Sequence, residues 1–224
     1  MANDAKAVFV VGSSGHARVI IDSIEKEGRF RISGLLDPFK PSDAVVSGYR
    51  ILGGQQDLPA LARKTGTSQV IIAIGDNWDR HAVYEEISAM APHLRFVGTR
   101  HPFSELGRYV EVGSGTTVMP GAIINCHSRL GRFCVVNTAA SVDHDCVLDD
   151  FVSIAPGATL GGDVKIGKFT AVSLGAKIAH KVSIGRHVLI GAGAIVLQDL
   201  PDNVVAYGAP AQVIRERAPG ERYL

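Results

Sequence analysis

The second half of the chain carries an aliphatic residue at every sixth position without interruption. The series contains only valine, isoleucine and leucine: Val112, Val118, Ile124, Leu130, Val136, Val142, Leu148, Ile154, Leu160, Ile166, Val172, Ile178, Ile184, Ile190 and Val196. The residue four places after each of the first fourteen, from Thr116 to Ala194, is small or β-branched. A period of six fits neither the 3.6-residue period of an α-helix nor the two-residue alternation of a long strand.

We interpret the six-residue period as a parallel β-helix of hexapeptide repeats. Each repeat predicts one short strand and a turn, so three repeats close one triangular coil and residues eighteen apart stack at roughly 4.8 Å spacing. The aliphatic residue is expected to point into the prism, and the small residue to fit the corner beside it. The repeats from 112 to 196 predict about five coils, with no long loop leaving the prism.

The first half of the chain alternates short apolar segments with segments of helical spacing. Strands are predicted at 6–12, 31–37 and 68–75, and helices at 16–28, 56–66 and 79–91. Val19, Ile20 and Ile24 form the apolar face expected for the first helix, and Gly28 is its C-cap signal. This order indicates a parallel sheet with crossover helices, where ligands bind beyond the carboxyl ends of the strands.

We therefore predict two domains. Residues 1–102 form an α/β domain with a small parallel sheet built from Rossmann-like βαβ units. Residues 103–224 form an all-β parallel β-helix with a C-terminal tail. The 6% aromatic content and the 25 glycines favour a core of small aliphatic side chains with frequent tight turns.

Composition argues against several classes of protein. The net charge of +1 and the absence of a Lys/Arg-rich block give no support for a nucleic-acid partner. We expect neither a secretory signal nor a membrane span, because no charged segment precedes a long apolar run. Cys126, Cys134 and Cys146 lack CxxC spacing, which predicts reduced thiols in a cytoplasmic protein and no zinc site.

The repeat occurs together with "VVGSSGHARVIID" and "IAIGDN" in the first half and "YGAPAQVI" near the end. In this combination the chain resembles the bacterial sugar acyltransferases with a left-handed β-helix, which N-acetylate nucleotide-linked amino sugars. Sialic acid O-acetyltransferases share this layout. The resemblance implies a homotrimer with acetyl-CoA in the grooves between prisms, a nucleotide sugar held by the N-terminal domain, no metal, and a place in polysaccharide biosynthesis.

The stretch "DHD" provides the candidate catalytic residues. By the resemblance, His144 is the general base and Asp145 its partner, although Asp143 is also adjacent. Histidine suits this role because its pKa lies near neutrality, and a carboxylate can fix its tautomer. Gly162 follows His144 by eighteen residues, so it should stack on that coil and contact the acetyl carbonyl or thioester. The alternative for His144 is a solvated polar residue on the surface of the prism.

Further candidate binding residues follow from the resemblance. In the N-terminal domain, the turn "GSSGHA", the end of the second strand and the "GDN" turn would surround the nucleotide; in the prism, two polar positions would contact substrate: Gly12, Ser13, Gly15, His16, Asp37, Gly75, Asn77, Asn137 and Ser153. The first turn is not the G-x-G-x-x-G fingerprint, so dinucleotide binding is weakly supported. Its glycines could also simply permit turns.

Two positions depart from the family pattern. Ser153 stands where many relatives carry a second histidine, and a serine cannot act as a base near neutral pH. Asp37 precedes a proline where relatives often have two acidic residues.

The resemblance also implies contacts with the cofactor. They are expected at Gly162, at His180 two coils above His144 at roughly 10 Å, and at Gly208 and Pro210 in the loop 207–214 that should end the prism. Lys177 and Lys181 could meet the CoA phosphates.

We predict transfer of acetyl from acetyl-CoA to the amine of a nucleotide-linked amino sugar, a 4-amino-4,6-dideoxyhexose, by direct attack without a cysteine acyl-enzyme. The alternatives are O-acetylation of sialic acid or a related sugar, and a non-catalytic hexapeptide-repeat binding protein. A hydratase of the γ-carbonic anhydrase type would need three histidines in ligand geometry, which His144 and His180 do not provide. UDP, GDP and dTDP remain open as the nucleotide.

Overall fold

The computed structural model describes residues 5–223. The chain folds into two compact units. One extends up to Gly75 and includes Asp79–Pro102, and the other contains Asp76–Trp78 and continues from Phe103. The short segment 76–78 thus belongs to the second unit, although the chain on either side of it, up to Gly75 and from Asp79, belongs to the first.

The first unit is built on a small sheet. Its strands are β1 Lys6–Val11, β2 Phe30–Leu36, β3 Val45–Val46, β4 Tyr49–Arg50, β5 Gln69–Ile72 and β6 Arg95–Phe96. Strands β2, β1, β5 and β6 pair in this order and are all parallel, which confirms the predicted sheet. The β3–β4 hairpin and β6 were not predicted, because two-residue strands are too short to show a period.

Three helices accompany this sheet: α1 Gly15–Glu27, α2 Leu58–Thr65, preceded by a 3-10 turn at Gln55–Asp57, and α3 Asn77–Met90. Gly28 ends α1 in the left-handed conformation, at φ 69°, and its N–H donates to the Ile24 carbonyl at 3.1 Å. A side chain is unfavourable at that φ, so the glycine terminates the helix as predicted.

The buried face of α1 differs from the prediction at one position. Ala17, Ile20, Ile21 and Ile24 are buried, whereas Val19 is exposed. Positions 17, 20, 21 and 24 follow the i, i+3, i+4, i+7 pattern of a single helical face, and position 19 lies outside it. The expectation that Val19 contributes to the core was therefore wrong.

The second unit is a prism of short parallel strands. They are β7 Glu105–Leu106, β8 Glu111–Val112, β9 Thr117–Val118, β10 Ile123–Ile124, β11 Arg129–Leu130, β12 Val135–Val136, β13 Ser141–Val142, β14 Val147–Leu148, β15 Ser153–Ile154, β16 Thr159–Leu160, β17 Lys165–Ile166, β18 Ala171–Val172, β19 Lys177–Ile178, β20 Ser183–Ile184, β21 Leu189–Ile190 and β22 Ile195–Val196. Each strand is two residues long and recurs every six residues, as the repeat predicts.

Strands eighteen residues apart pair in parallel, for example β10 with β13 through Ile124 and Val142. This pairing produces three faces: a six-stranded sheet from β7 to β22, a five-stranded sheet from β8 to β20 and a larger sheet that begins at β9. The prism has about six turns rather than the five we expected. Leu106 continues the aliphatic series one repeat earlier, and the chain after Val196 adds strands at the other end.

The repeat residues form the interior of the prism. Every aliphatic position from Val118 to Val196 is buried, and so are the small residues four places later, from Thr116 to Ala194. Val112 is the exception at 44% exposed, because its strand β8 is the end strand of its sheet. The predicted inward direction of the repeat is confirmed, and no loop interrupts the strands between 105 and 196.

The corners of the prism require left-handed backbone, and one corner fills these positions with rings. Phe133, Phe151, Phe169 and His187 have φ between 54° and 63° and stack one coil above another, with ring centroids 4.8–5.4 Å apart. Trp78 packs on this column, with its ring centroid 5.0 Å from that of Phe169. The three phenylalanine rings are buried, so the column forms a stacked apolar cluster along this edge of the prism.

The C-terminal segment closes the prism with an antiparallel hairpin of β23 Val204–Gly208 and β24 Ala211–Glu216. We expected 207–214 to end the prism as a loop; instead β23 continues the largest sheet beside β21. Tyr223 packs beyond it against a small apolar cluster that includes Val205. None of the helices between residues 5 and 223 has the length and hydropathy needed to cross a membrane.

Candidate active site

His144 lies at the corner between β13 and β14. Val142 and Leu148 point into the core and Cys146 is buried, so only Asp143, His144 and Asp145 face outward from this turn. The His144 side chain is 54% exposed. We call this turn, with its stacked equivalents one and two coils away, the His144 corner; it comprises 125–128, 143–146, 161–164 and 179–182.

Asp145 contacts the imidazole directly. Its Oδ2 lies 2.7 Å from Nδ1 of His144, and Asp145 occupies the left-handed corner position at φ 60°. This hydrogen bond is the main reason that the pKa of His144 is raised above its usual 6.5; slight desolvation opposes the shift, and the charges of Asp143, Asp145 and Asp163 add to it. A ring held through Nδ1 leaves Nε2 available to accept a proton.

Asp143 holds the backbone of the same turn. Its Oδ1 accepts the N–H of His144 at 2.8 Å and also the side-chain amide of Asn125 at 2.7 Å. The Asn125 bond, followed by the His144 N–H, lowers the pKa of Asp143 below its usual 3.8. The two aspartates therefore have different roles, because Asp145 contacts the ring and Asp143 contacts the main chain. Asn125 was not singled out in the sequence, although its separation of eighteen residues from Asp143 was the available signal.

Gly162 stacks under the imidazole one coil further along. A Cβ built at Gly162 would lie 2.6 Å from both Cε1 and Nε2 of His144, so the missing side chain makes room for the ring itself. Within the described chain, the N–H of Gly162 has no hydrogen-bond acceptor, because the preceding Gly161 has no side chain to offer one. An unbonded N–H next to a histidine ring can donate to a developing oxyanion.

Cys146, the buried cysteine of this corner, does not have the properties of a nucleophile. Burial raises the pKa of the Cys146 thiol to about 11, and its Sγ donates to the Gly161 carbonyl at 3.2 Å. A thiol rather than a thiolate is present at neutral pH, and the thiol is a weak nucleophile. Cys134 is buried as well, whereas Cys126 is exposed; none of the three is in a disulfide.

In the first unit, the structure brings together the turn after β1 and the end of β2. Ser13 is fully buried and its hydroxyl donates to Asp37 Oδ2, while Asp37 Oδ1 accepts the N–H of Phe39 at 3.0 Å. Lys40 reaches back to the Ser13 carbonyl at 2.8 Å. Gly12 has φ 106°, and a Cβ there would lie 2.8 Å from the Ala73 carbonyl oxygen, so only glycine fits.

His16 lies in the first turn of α1, which begins at Gly15. Its Nε2 is buried and has no hydrogen-bond partner within residues 5–223. Burial, and next the positive charge of Arg80, lower the pKa of His16 to about 4. The ring is therefore neutral at physiological pH and presents an unpaired nitrogen close to a helix N-terminus, where the backbone N–H groups favour anions.

The residues of the "GDN" turn have two different roles. The Gly75 carbonyl accepts Nη1 of the buried Arg80 at 2.8 Å. Asn77 is 1% exposed, and its amide donates to the Phe169 carbonyl at 2.8 Å. Trp78 follows on the aromatic column. Asn77 thus makes a structural contact with the prism that the sequence did not indicate.

Comparisons with known proteins show which proteins this chain is similar to. A family model described as the PglD N-terminal domain matches residues 7–87. The GDP-perosamine N-acetyltransferase of Escherichia coli is 31% identical over 111 residues, 50% of this chain and 48% of that protein. The chain thus spans about half the length of this curated relative.

Solved structures match over almost the whole chain. A histidine-to-asparagine mutant of perosamine N-acetyltransferase from Caulobacter crescentus, in complex with CoA and GDP-perosamine, has a TM-score of 0.86 at 33% identity, covering 94% of this chain and 97% of that chain. This chain belongs to the hexapeptide-repeat family of nucleotide amino-sugar N-acetyltransferases. The acetyltransferase domain of PglB from Neisseria gonorrhoeae, in complex with acetyl coenzyme A, has a TM-score of 0.86 at 31% identity, covering 94% and 100%. These matches confirm the left-handed β-helix.

Of the remaining residues expected from the N-acetyltransferase family, His180 lies on the His144 corner and the others lie elsewhere in the second unit. Asn137 begins the turn after β12, where its Oδ1 accepts the Thr138 N–H at 2.8 Å, and Ser153 is a buried residue of β15 in the largest sheet. Gly208 and Pro210 lie at the turn of the C-terminal hairpin. His180 is exposed on the His144 corner, two coils beyond His144. Between residues 5 and 223, no group of His, Cys, Asp or Glu side chains could hold a metal ion.

Proposed function

We propose that this chain transfers the acetyl group of acetyl-CoA to the amine of a GDP-linked 4-amino-4,6-dideoxyhexose. Two relatives suggest this substrate class: the matched structure from Caulobacter contains CoA and GDP-perosamine, and the Escherichia coli relative is a GDP-perosamine N-acetyltransferase. Perosamine is itself a 4-amino-4,6-dideoxyhexose. The observation that carries the proposal is the exposed His144 ring, held through Nδ1 by Asp145 at 2.7 Å.

In the proposed reaction, the sugar amine attacks the thioester carbonyl carbon. His144 Nε2 accepts the proton that the amine loses as the C–N bond forms, and Asp145 stabilises the resulting imidazolium. The C–S bond then breaks, and the proton passes from His144 to the departing CoA sulfur, so that the products are an amide and a thiol. The thioester oxygen becomes negative in between, and the N–H of Gly162 is positioned on this corner to donate to it.

We infer that the nucleotide part of the substrate binds to the first unit. The supporting features are the buried His16 nitrogen that lacks a partner, the N-terminus of α1 and the Asp37 carboxylate at the end of β2. Parallel sheets bind ligands at this edge. The residues proposed for this site are those identified in the sequence in the first unit: Gly12, Ser13, Gly15, His16, Asp37 and Gly75. Asn77, also identified in the sequence, belongs to the second unit, where its amide donates to the Phe169 carbonyl.

We further propose that the active enzyme is a homotrimer with CoA in the groove between prisms. His144 is exposed in one chain, so a groove wall from a second copy would exclude water from the reacting groups. Asn137 and Ser153 lie on other turns and faces of the same prism, and a second copy would bring them near the groove. His180, Gly208 and Pro210 are proposed to line it toward the adenine end of CoA.

The test is release of the CoA thiol from acetyl-CoA with a panel of nucleotide sugars: GDP-perosamine, its UDP- and dTDP-linked 4-amino counterparts, and CMP-sialic acid. The protein is assayed as wild type and as His144→Ala, with His93→Ala as an exposed-histidine control. We expect turnover with GDP-perosamine that falls by about 10²–10⁴-fold in His144→Ala only. Sedimentation velocity of the same samples measures the trimer.

Each part of the proposal has its own negative outcome. Full turnover by His144→Ala at neutral pH would refute the assignment of the base. Reaction of a hydroxyl sugar without any amino sugar would establish O-acetylation instead. A monomer in sedimentation that retains full turnover would contradict the groove between prisms.

A further inference from the structure

We propose that Asn125 and Asp143 are a positioning pair that fixes the backbone of His144 for proton transfer. The inference deepens the proposed function and rests on it for the catalytic role of His144. Neither residue touches the imidazole in the structure, so both act through the main chain.

The pair is built into the stacking of the prism. Asn125 and Asp143 follow paired strands β10 and β13, and the N–H groups of both residues are held by the next coil, Asn125 by the Val142 carbonyl at 2.8 Å and Asp143 by the Leu160 carbonyl at 3.1 Å. The backbones of Asn125 and Asp143 are therefore held independently of the contact between their side chains. The side-chain amide of Asn125 then donates to Asp143 Oδ1 at 2.7 Å.

One oxygen atom of Asp143 connects the side chain of Asn125 to the backbone of His144. Asp143 Oδ1 accepts both the Asn125 amide and, at 2.8 Å, the N–H of His144. The Asn125 amide limits rotation of the Asp143 carboxylate. A rotation that broke the hydrogen bond from Asn125 would also break the hydrogen bond from the His144 N–H, because both donate to the same oxygen. The side chain of Asn125 thus restrains the peptide from which the catalytic ring projects, across one coil of the prism.

This restraint also separates the two carboxylates that flank the histidine. Asp145 is hydrogen-bonded to Nδ1 and Asp143 is committed to the main chain. An Asp143 carboxylate released from Asn125 would be free to compete for the imidazole, since it is adjacent in sequence and negatively charged. The pair therefore directs the ring toward a single carboxylate and a single orientation over Gly162.

It also determines which backbone N–H remains available at the corner. The N–H of His144 is bound by Asp143, whereas the equivalent N–H one coil later, at Gly162, follows a glycine and is unbonded within the described chain. A developing oxyanion beside the His144 ring can therefore accept from the N–H of Gly162, whereas the N–H of His144 is already bound to Asp143.

The experiment uses the full-length protein in four forms: wild type, Asn125→Ala, Asp143→Asn and Asp150→Ala. Asp143→Asn keeps an Oδ1 acceptor for both donors and removes only the charge. Asp150 is the control, because its Oδ1 also accepts a hydrogen bond across one coil, from the backbone N–H of Arg132 at 2.7 Å, at a different corner. The measurements are kcat and KM for acetyl-CoA, the melting temperature, and the titration of His144 followed by NMR with labelled histidine.

We expect Asn125→Ala to lower kcat about three- to tenfold, the equivalent of one hydrogen bond, with an unchanged KM and melting temperature. The NMR signal of His144 should broaden or shift at neutral pH, reporting a second ring orientation. Asp143→Asn should retain most of kcat, with the pKa of His144 lowered because a neighbouring charge is lost. Asp150→Ala should match wild type in kcat and in the His144 titration.

Two results would overturn the proposal: an Asn125→Ala protein with wild-type kcat and His144 titration, or a loss of kcat accompanied by an equal loss in Asp150→Ala. The NMR titration does not depend on turnover. If no nucleotide sugar reacts, the proposed function fails, while the titration still decides whether Asn125 and Asp143 position the ring.

Discussion

Asp145 Oδ2 lies 2.7 Å from Nδ1 of His144, the residue directly before it in the chain. Adjacent side chains usually point apart, and here the left-handed backbone of Asp145, at φ 60°, turns the carboxylate back onto the ring. Every coil of the prism requires such a conformation at its corners, as at His127 and Asp163 of the same corner. The fold thus supplies the geometry of the pair without a special loop.

Replacing Asp145 with asparagine should move the pH dependence of turnover to lower pH. The base must be neutral to accept a proton, so activity falls as the pH drops through the pKa of His144. That pKa is raised above 6.5 chiefly by Asp145, so the acid limb of wild type should have its midpoint above 6.5. In Asp145→Asn the midpoint should move down, while kcat at the plateau falls about tenfold or more through loss of imidazolium stabilisation.

The measurement is a profile of kcat/KM for the nucleotide sugar across the range from acid to mildly alkaline pH. Asp149→Asn, one repeat further along and without contact to the ring, serves as the control. An acid limb that stays in place in Asp145→Asn would show that Asp145 does not set the basicity of His144.

Gly162→Ala should lower turnover by about 10²-fold while leaving the fold intact. The new methyl group would lie 2.6 Å from His144 Cε1 and Nε2, so the exposed ring must move away. Gly162 has no positive φ, and its clash involves only the far end of a side chain, so the backbone accommodates alanine. A displacement of about 1 Å in a catalytic group costs about 10²-fold in rate.

Steady-state kcat and the melting temperature of Gly162→Ala test this expectation together. Gly157→Ala is a poor control, because Gly157 has φ 68°. A better comparison is Ser141→Ala, a partly exposed strand position on the coil of His144. Wild-type turnover in Gly162→Ala would mean that the ring position seen over Gly162 is not the one used in catalysis.

The aliphatic period predicted which prism residues are buried, because each strand of a β-helix has one inward position and the same spacing recurs in every coil. Val112 has the same spacing but is exposed, because burial also requires a neighbouring coil on both sides of the strand. The exposed polar network could not be read in the same way. Asn125 reaches Asp143 only because the corners stack, and the sequence contains many polar residues at corner positions.

The contacts of the aromatic residues could also be predicted only in part from the sequence. Phe133, Phe151 and Phe169 follow one another at intervals of eighteen residues, and this spacing predicts a stacked column. Asn77 and Trp78 gave no such signal, because their contacts with the column join segments that lie far apart in the chain, 92 residues in the case of Asn77 and Phe169. Local pattern determines the coils, whereas long-range contacts of single side chains require the folded structure.

Truncation of an interior repeat residue should destabilise the prism strongly. Ile154 is fully buried on β15 in the middle of the core cluster, so Ile154→Ala should reduce the free energy of unfolding by about 2–5 kcal/mol. Val112→Ala shortens a side chain of the same repeat series at an exposed position and should cost within about 0.5 kcal/mol. Urea unfolding followed by circular dichroism measures both, and equal losses would contradict the inward orientation of the repeat.

Mild acid should destabilise the protein through His16. The pKa of His16 is lowered to about 4 in the folded chain, chiefly by burial, against 6.5 when exposed. Above pH 6.5 the contribution of His16 to the free energy of unfolding is fully present, because the imidazole is neutral in both the folded and the unfolded chain. It is lost as the pH falls from 6.5 toward 4, because the unfolded chain binds a proton that the folded chain excludes. The expected loss is about 3 kcal/mol over this window.

His16→Gln should remove this pH dependence, because glutamine has no charge to gain. Comparing urea unfolding at neutral pH and at about pH 4.5, we expect wild type and the exposed-residue control His93→Gln to lose similar stability at the lower pH. His16→Gln should lose about 2.5 kcal/mol less. If the stability of His16→Gln falls as steeply as that of wild type, another group causes the acid sensitivity. The assignment of His16 as buried and neutral would then be wrong.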